Sequence, residues 1–263
     1  MSRHSTTVII LFIILSAAML GSTIWASVQI ASNDLGGSYF WIQWIAIRSK
    51  VVDGISPYSF TVSHRISATT DSLYSWSPGN SPAYTDPLFS AITTLPFSLI
   101  QDPTTARTIW LVVQFLTILL TILAGVSLMG WKPAWWFLSG MIIIILLSLR
   151  TIINWYQGST VIWVGILVMG VLMALKGKRF ELAGILLSLS MLQPQLVILW
   201  VLFVLFWSVA QRKWRVLFWF LCSLVILGIL AAFLDANWLI EYLRILWNYQ
   251  DHFSVASPGL AFQ

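Results

Sequence analysis

Apolar runs alternate with short polar breaks along most of this chain. Residues 8–31 are almost wholly apolar. A cleavable signal has an apolar core of roughly 7–15 residues, so 1–31 reads as an uncleaved first membrane helix with its N-terminus in the cytoplasm. On the rival reading, a cleaved signal, Ala26-Ser27 and Ala31-Ser32 are the places to cut. Residues 32–86 are the largest polar excursion. Within them Tyr39, Phe40, Trp41, Trp44, Ile45, Ile47, Val51 and Val52 recur at helical intervals, interrupted by Gln43, Arg48 and Lys50. That stretch is too short and too charged to span, and predicts an amphipathic helix lying at the membrane interface. Asp34 is placed to cap its start, where free N–H groups and the positive end of the helix dipole meet a carboxylate. Gly54 and Pro57 are placed to stop it. Residues 59–85 are rich in Ser, Thr, Pro, Asn and Tyr without apolar periodicity, and predict an irregular polar loop.

Residues 87–234 read as the remaining membrane helices. The uncharged runs are 87–101, broken by Pro96, then 108–131, 133–149, 151–175 and 182–211. A bilayer core takes about 20 helical residues. The thirty residues of 182–211 therefore suit two short helices hinged at Gln193-Pro194-Gln195. A last run ends at Leu234, and 235–263 reads as an extracytoplasmic C-terminal segment. Lys and Arg concentrate in cytoplasmic loops, so the turns 176–179 and 212–215 belong on one side, inside. Counting back puts Tyr156-Gln157 outside and Lys132 inside. It leaves 87–101 re-entrant or interfacial, with a true span as the alternative. On this count eight of the nine acids lie outside, Glu181 being the exception.

Composition agrees with that pattern. Hydrophobic residues make up 59% of the 263 and charged residues 9%, against about 25% charged in soluble domains. The expected class is all-α: a single polytopic transmembrane helical bundle. Sixteen Trp, many near the ends of apolar runs, suit an aromatic belt. The net charge of +5 comes from scattered bases that read as topology signals, not as a nucleic-acid surface. Cys222 is a lone cysteine and reports no redox compartment. His4, His64 and His252 are far apart, so no pair has metal-ligand spacing.

The polar groups expected on the outer face are Asp34, Arg48, Lys50, Tyr84, Asp86, Arg150, Gln157, Gln193 and Gln195. Each has a plain structural use. Asp34 caps a helix, Arg48 and Lys50 snorkel to headgroups, and Gln157 and Gln193 hydrogen-bond between helices.

Several of these residues stand in an ordered series. An Asp, Asp34, follows the first helix, then Tyr39-Phe40, then Gly54-Ile55-Ser56-Pro57-Tyr58. Tyr84-Thr85-Asp86-Pro87-Leu88 comes next, with Pro96 following. Then come Tyr156-Gln157-Gly158-Ser159, the basic turn 176–179, Ala183-Gly184, Gln193-Pro194-Gln195 and the basic Trp turn 212–215. The series resembles glycosyltransferase family 87, polytopic glycosyltransferases of the GT-C fold. Two positions depart from the family pattern. Gln193 stands where a Lys is usual, and Asp86 stands where the first of two prolines is usual.

The resemblance implies a membrane glycosyltransferase that uses a polyprenyl-phosphate sugar, mannose-like, as donor. Its acceptor would be a lipid or glycan on the extracytoplasmic face. Asp34 would be the general base of an inverting displacement. Arg48, Lys50 and Arg150 would meet the phosphate, and Tyr39, Tyr58 and Gln157 would line the sugar pocket. The resemblance implies no cofactor, no metal and no nucleic-acid partner, and a bacterial plasma membrane as the location, with membrane lipids around the chain. The alternative is a non-catalytic or truncated membrane subunit of such an assembly.

Overall fold

A computed structural model describes residues 21–32, 39–70 and 83–249. Every regular element among them is helical. Residues 21–32 are helical (α1), and α2 (Tyr39–Asp53) and α3 (Phe60–Thr70) follow. A 3-10 turn at Leu88–Ser90 leads into α4 (Ala91–Ser98). Then come α5 (Pro103–Leu128), α6 (Trp135–Leu146), α7 (Leu149–Gln157) and α8 (Val161–Lys176). The chain continues as α9 (Phe180–Ser190), α10 (Pro194–Ala210), α11 (Trp214–Leu234) and α12 (Trp238–Tyr249).

Local chemistry sets most boundaries. Gly54 takes a left-handed φ of 70° and ends α2. Asp102 caps α5, its carboxylate accepting from the Thr105 N–H at 2.9 Å, and Pro103 fills the first helical position. Gly158, at φ 68°, ends α7. Met191 to Gln193 break the 182–211 run ahead of Pro194, as the hinge reading expected.

Helices α5 and α11 are long and apolar enough to cross a membrane. The pair α6–α7, bent by 60°, makes a third if counted as one span. Helices α8, α9, α10 and the 88–98 segment are apolar but shorter. Many large apolar side chains on α10 and α11 are exposed, among them Leu199, Phe206 and Phe233. That surface suits lipid, and the protein is membrane-associated.

Contacts give the helices their directions. Near the start of α5, Trp110 donates to the Gly158 carbonyl at 3.0 Å and Gln114 to the Ser159 carbonyl at 2.8 Å. At its far end the Leu128 carbonyl accepts from the Lys176 ammonium. Helices α5 and α8 therefore run parallel. The starts of α9 and α11 also meet: Arg215 lies 3.7 Å from Glu181, and the Lys213 ammonium sits 4.9 Å from the centre of the Phe180 ring. The two basic turns thus share one end of the bundle. Helix α10 must return between them, as the charge pattern required.

Two expectations need correction. Residues 59–85 are not wholly irregular, because α3 occupies Phe60–Thr70. Its signal was only Val62 and Ile66, both fully buried one helical turn apart amid polar neighbours. Helix α2 is not amphipathic in the expected sense. Gln43 and Ser49 are buried while Val51 and Val52 are exposed, because α2 packs between α3 and α4.

Candidate functional site

Opposite the basic turns, polar side chains from four separate stretches meet. Tyr39 opens α2, and Gln43 stands one turn later on the same face. Asp86 comes from the irregular stretch that leads into the 3-10 turn. Thr160 immediately precedes α8, and Gln193 immediately precedes α10. The Tyr39 hydroxyl donates to Asp86 Oδ2. Gln43 Nε2 donates to the same oxygen at 2.6 Å. Gln193 Nε2 donates to the Tyr39 oxygen at 2.8 Å and also to Thr160 Oγ1. The Tyr39 hydroxyl is therefore the hub of the cluster.

Asp86 is 1% exposed. Burial pushes its pKa up to about 6, and hydrogen bonds from Tyr39, Gln43 and Gln195 oppose the rise. Burial, with the Asp86 charge second, likewise holds the Tyr39 phenol well above its ordinary range. Asp86 Oδ1 has no partner at hydrogen-bonding geometry, although Gln195 lies near enough to favour the charged form. Tyr39 is only partly buried and Gln195 is exposed, so these two mark the open side of the cluster.

An aromatic platform supports it. Tyr58 donates to the Asp86 carbonyl at 2.8 Å, and Tyr84 hydrogen-bonds Ser90 at 2.8 Å. Tyr58 packs on Tyr84 and Tyr242, joining the first polar excursion to α12. Gly158 passes so close to Phe40 that an added Cβ would lie 2.8 Å from Phe40 Cβ. Only glycine fits both that gap and the left-handed φ.

The other expected residues lie elsewhere. Asp34 is outside the described residues. Arg48 donates to the Ser98 carbonyl at 2.9 Å, tying α2 to the end of α4. Lys50 pairs with Asp235 at 2.8 Å. Arg150 and Gln157 are exposed on α7. Gln43 and Thr160 were not singled out from sequence. Gln43 had a signal, standing four residues after Tyr39 in an apolar stretch. Thr160 directly follows Tyr156-Gln157-Gly158-Ser159, and a single threonine before an apolar run carries no signal of its own.

The helices and the buried carboxylate cluster define a membrane-associated, all-helical protein with a polar site at one end of its bundle. The family model of glycosyltransferase family 87 matches residues 84–261, more than half of the chain. The chain belongs to that family, and its activity is in kind that of a glycosyltransferase. The match begins at Tyr84, so it includes Asp86, Thr160 and Gln193 and leaves Asp34, Tyr39 and Gln43 outside. Neither the curated proteins nor the solved structures contain a match to the chain.

Proposed function

We propose that the protein is a multi-pass glycosyltransferase of the bacterial plasma membrane, moving a mannose-like sugar from a polyprenyl-phosphate donor to a lipid or glycan acceptor. The observation that carries this reading is the position of the Tyr39–Asp86–Gln193 cluster. It lies at the end of the bundle away from both basic turns. Positive turns favour the cytoplasm, so the cluster belongs at the extracytoplasmic interface. A lipid-borne donor presents its sugar there while its tail stays among the exposed apolar helices.

Asp34 stands five residues before Tyr39 in the chain and is the general base of the proposal. The acceptor hydroxyl gives its proton to that carboxylate as its oxygen bonds to the anomeric carbon. The bond from that carbon to the phosphate oxygen breaks, and its electron pair leaves with the polyprenyl phosphate. One base opposite one leaving group inverts the anomeric centre, by analogy with inverting glycosidases. Of the proposed phosphate cations, Arg150 alone is exposed, Arg48 and Lys50 being tied to α4 and Asp235. Tyr39, Tyr58 and Gln157 are proposed for the sugar.

The test is transfer of labelled mannose from polyprenyl-phosphate mannose by the purified protein in lipid nanodiscs. Product with inverted configuration supports the reading. Donor binding without transfer, in the presence of a full acceptor panel, favours the subunit alternative.

A further inference from the structure

The two basic turns are built the same way. After α8 the Lys178 N–H donates to the Leu175 carbonyl at 3.1 Å, and the Arg179 N–H to the Ala174 carbonyl at 2.8 Å. After α10 the Arg212 N–H donates to the Val209 carbonyl at 3.0 Å, and the Lys213 N–H to the Ser208 carbonyl at 2.7 Å. Each is a helix cap that pivots on one left-handed residue, a position glycine usually fills. Here a base fills both: Lys178 at φ 57° and Arg212 at φ 54°. Gly177 stands beside Lys178 at φ −78°, so the glycine is not the pivot. Orienting the chain in a membrane needs bases on this side. It does not need them at positions that strain a side chain.

The turns also frame a recess. Lys178, Arg179, Phe180, Glu181, Leu182 and Arg215 line a space of about 390 Å³, within the roughly 300–1,000 Å³ of ligand sites. Gly184 brings α9 against the α11 backbone one turn further in, which fixes the distance between the walls. Glu181 is the only acid between Asp102 and Asp235. It lies 3.7 Å from Arg215, with both side chains more than half exposed, and such a pair is weak. Three cations against one carboxylate leave the recess with an excess of two positive charges. At its edge, Leu182 and Phe218 are exposed apolar side chains, Phe218 standing one turn after Arg215 on the same face of α11.

We propose that this recess binds the headgroup of an anionic phospholipid of the cytoplasmic leaflet, preferring a lipid with two phosphodiesters to a lipid with one. Basic pockets between membrane helices on the cytoplasmic side suit such headgroups. Lys178, Arg179 and Arg215 meet the phosphate oxygens, and an acyl chain runs along Phe218. The site lies at the opposite end of the bundle from the Tyr39 cluster. It needs a bilayer but not glycosyl transfer.

The experiment counts lipids bound to the full chain in a neutral detergent by native mass spectrometry. The probes are cardiolipin, phosphatidylglycerol and phosphatidylcholine with the same acyl chains. Cardiolipin should bind tightest and phosphatidylcholine weakest, with about a fivefold gain for each base engaged. Lys178→Gly removes a base and relieves the left-handed backbone. It should raise the melting temperature without lipid and lower cardiolipin affinity about fivefold. A base that served only the cap would change the first and not the second, which overturns the proposal. Arg215→Gln, at an exposed side chain, should lower affinity alike and serves if Lys178→Gly folds poorly. Lys132→Gln removes an exposed base outside the recess, beyond the end of α5 that meets Lys176, and should leave affinity unchanged. Equal losses in all three variants overturn the site in favour of a diffuse field of charge. Equal affinity for the three lipids overturns it outright. Displacement of cardiolipin by glycerol phosphate overturns it in favour of a soluble phosphate. None of these readouts depends on transferase activity, so the glycosyl-transfer reading stands or falls separately.

Discussion

The Gln193 side-chain nitrogen donates to the Tyr39 hydroxyl oxygen at 2.8 Å across 154 positions of sequence. That bond joins the hinge before α10 to the first turn of α2. Through Tyr39 it also couples Gln193 to Asp86.

Tyr39→Phe should be costly, because it removes the hydroxyl that donates to Asp86 and accepts from Gln193, leaving Gln43 on Asp86 and Thr160 on Gln193. Losing a hydrogen bond to a charged group costs about 1.5–3 kcal/mol. We expect a lower melting temperature in detergent and a loss of donor binding. Combined with Asp86→Asn, the loss should be smaller than the sum of the two single losses, since both remove the same bond. Additive losses would show that the bond is absent.

Stability should depend on pH through Asp86. Its folded pKa, about 6, lies above the ordinary 3.8. The folded state therefore holds a proton that the unfolded chain releases between those values. Its contribution is full below pH 3.8 and is lost as pH rises through about 6. The size is at most about 3 kcal/mol. Melting temperatures taken from pH 4 to pH 7 should show this fall in the parent and a flatter profile in Asp86→Asn.

Asp34→Asn should lower turnover by about a hundredfold or more, the usual loss when a general base is removed. Insertion and melting temperature should be unchanged. Unaltered turnover would take Asp34 out of the chemistry.

Gly184 packs closely against the α11 backbone. A Cβ there would lie 2.5 Å from the Val216 carbonyl oxygen and 2.8 Å from the Phe220 nitrogen. Both are backbone atoms, so a helix must move. Gly184→Ala should destabilise by about 1–3 kcal/mol, as overpacking does. Gly228, on α11 with nothing within 4 Å, is the control. Alanine there should stabilise by up to about 1 kcal/mol, the helix-propensity gain.

The helical class, the stop at Gly54, the break at Pro194 and the shared end of the basic turns were all legible in the sequence. Each depends on local chemistry or on counting charge between apolar runs. Lipid-facing helices satisfy their backbone groups internally, so their composition alone announces them. Helix α3 was hidden because only Val62 and Ile66 carried its period, and tertiary burial supplied the rest.

The site was half legible. Tyr39, Asp86 and Gln193 stood among the candidates, but so did Arg48 and Lys50, which the fold commits to α4 and Asp235. A polar residue in an apolar chain announces that it needs a partner. Which partner it finds depends on how α2, α8 and α10 converge, and that convergence comes from packing between helices far apart in the chain. The sequence by itself determined the class, the helices and their alternation. Only the tertiary structure decided that one tyrosine hydroxyl would gather an aspartate, a threonine and a glutamine, because hydrogen bonds of that range have no local signature.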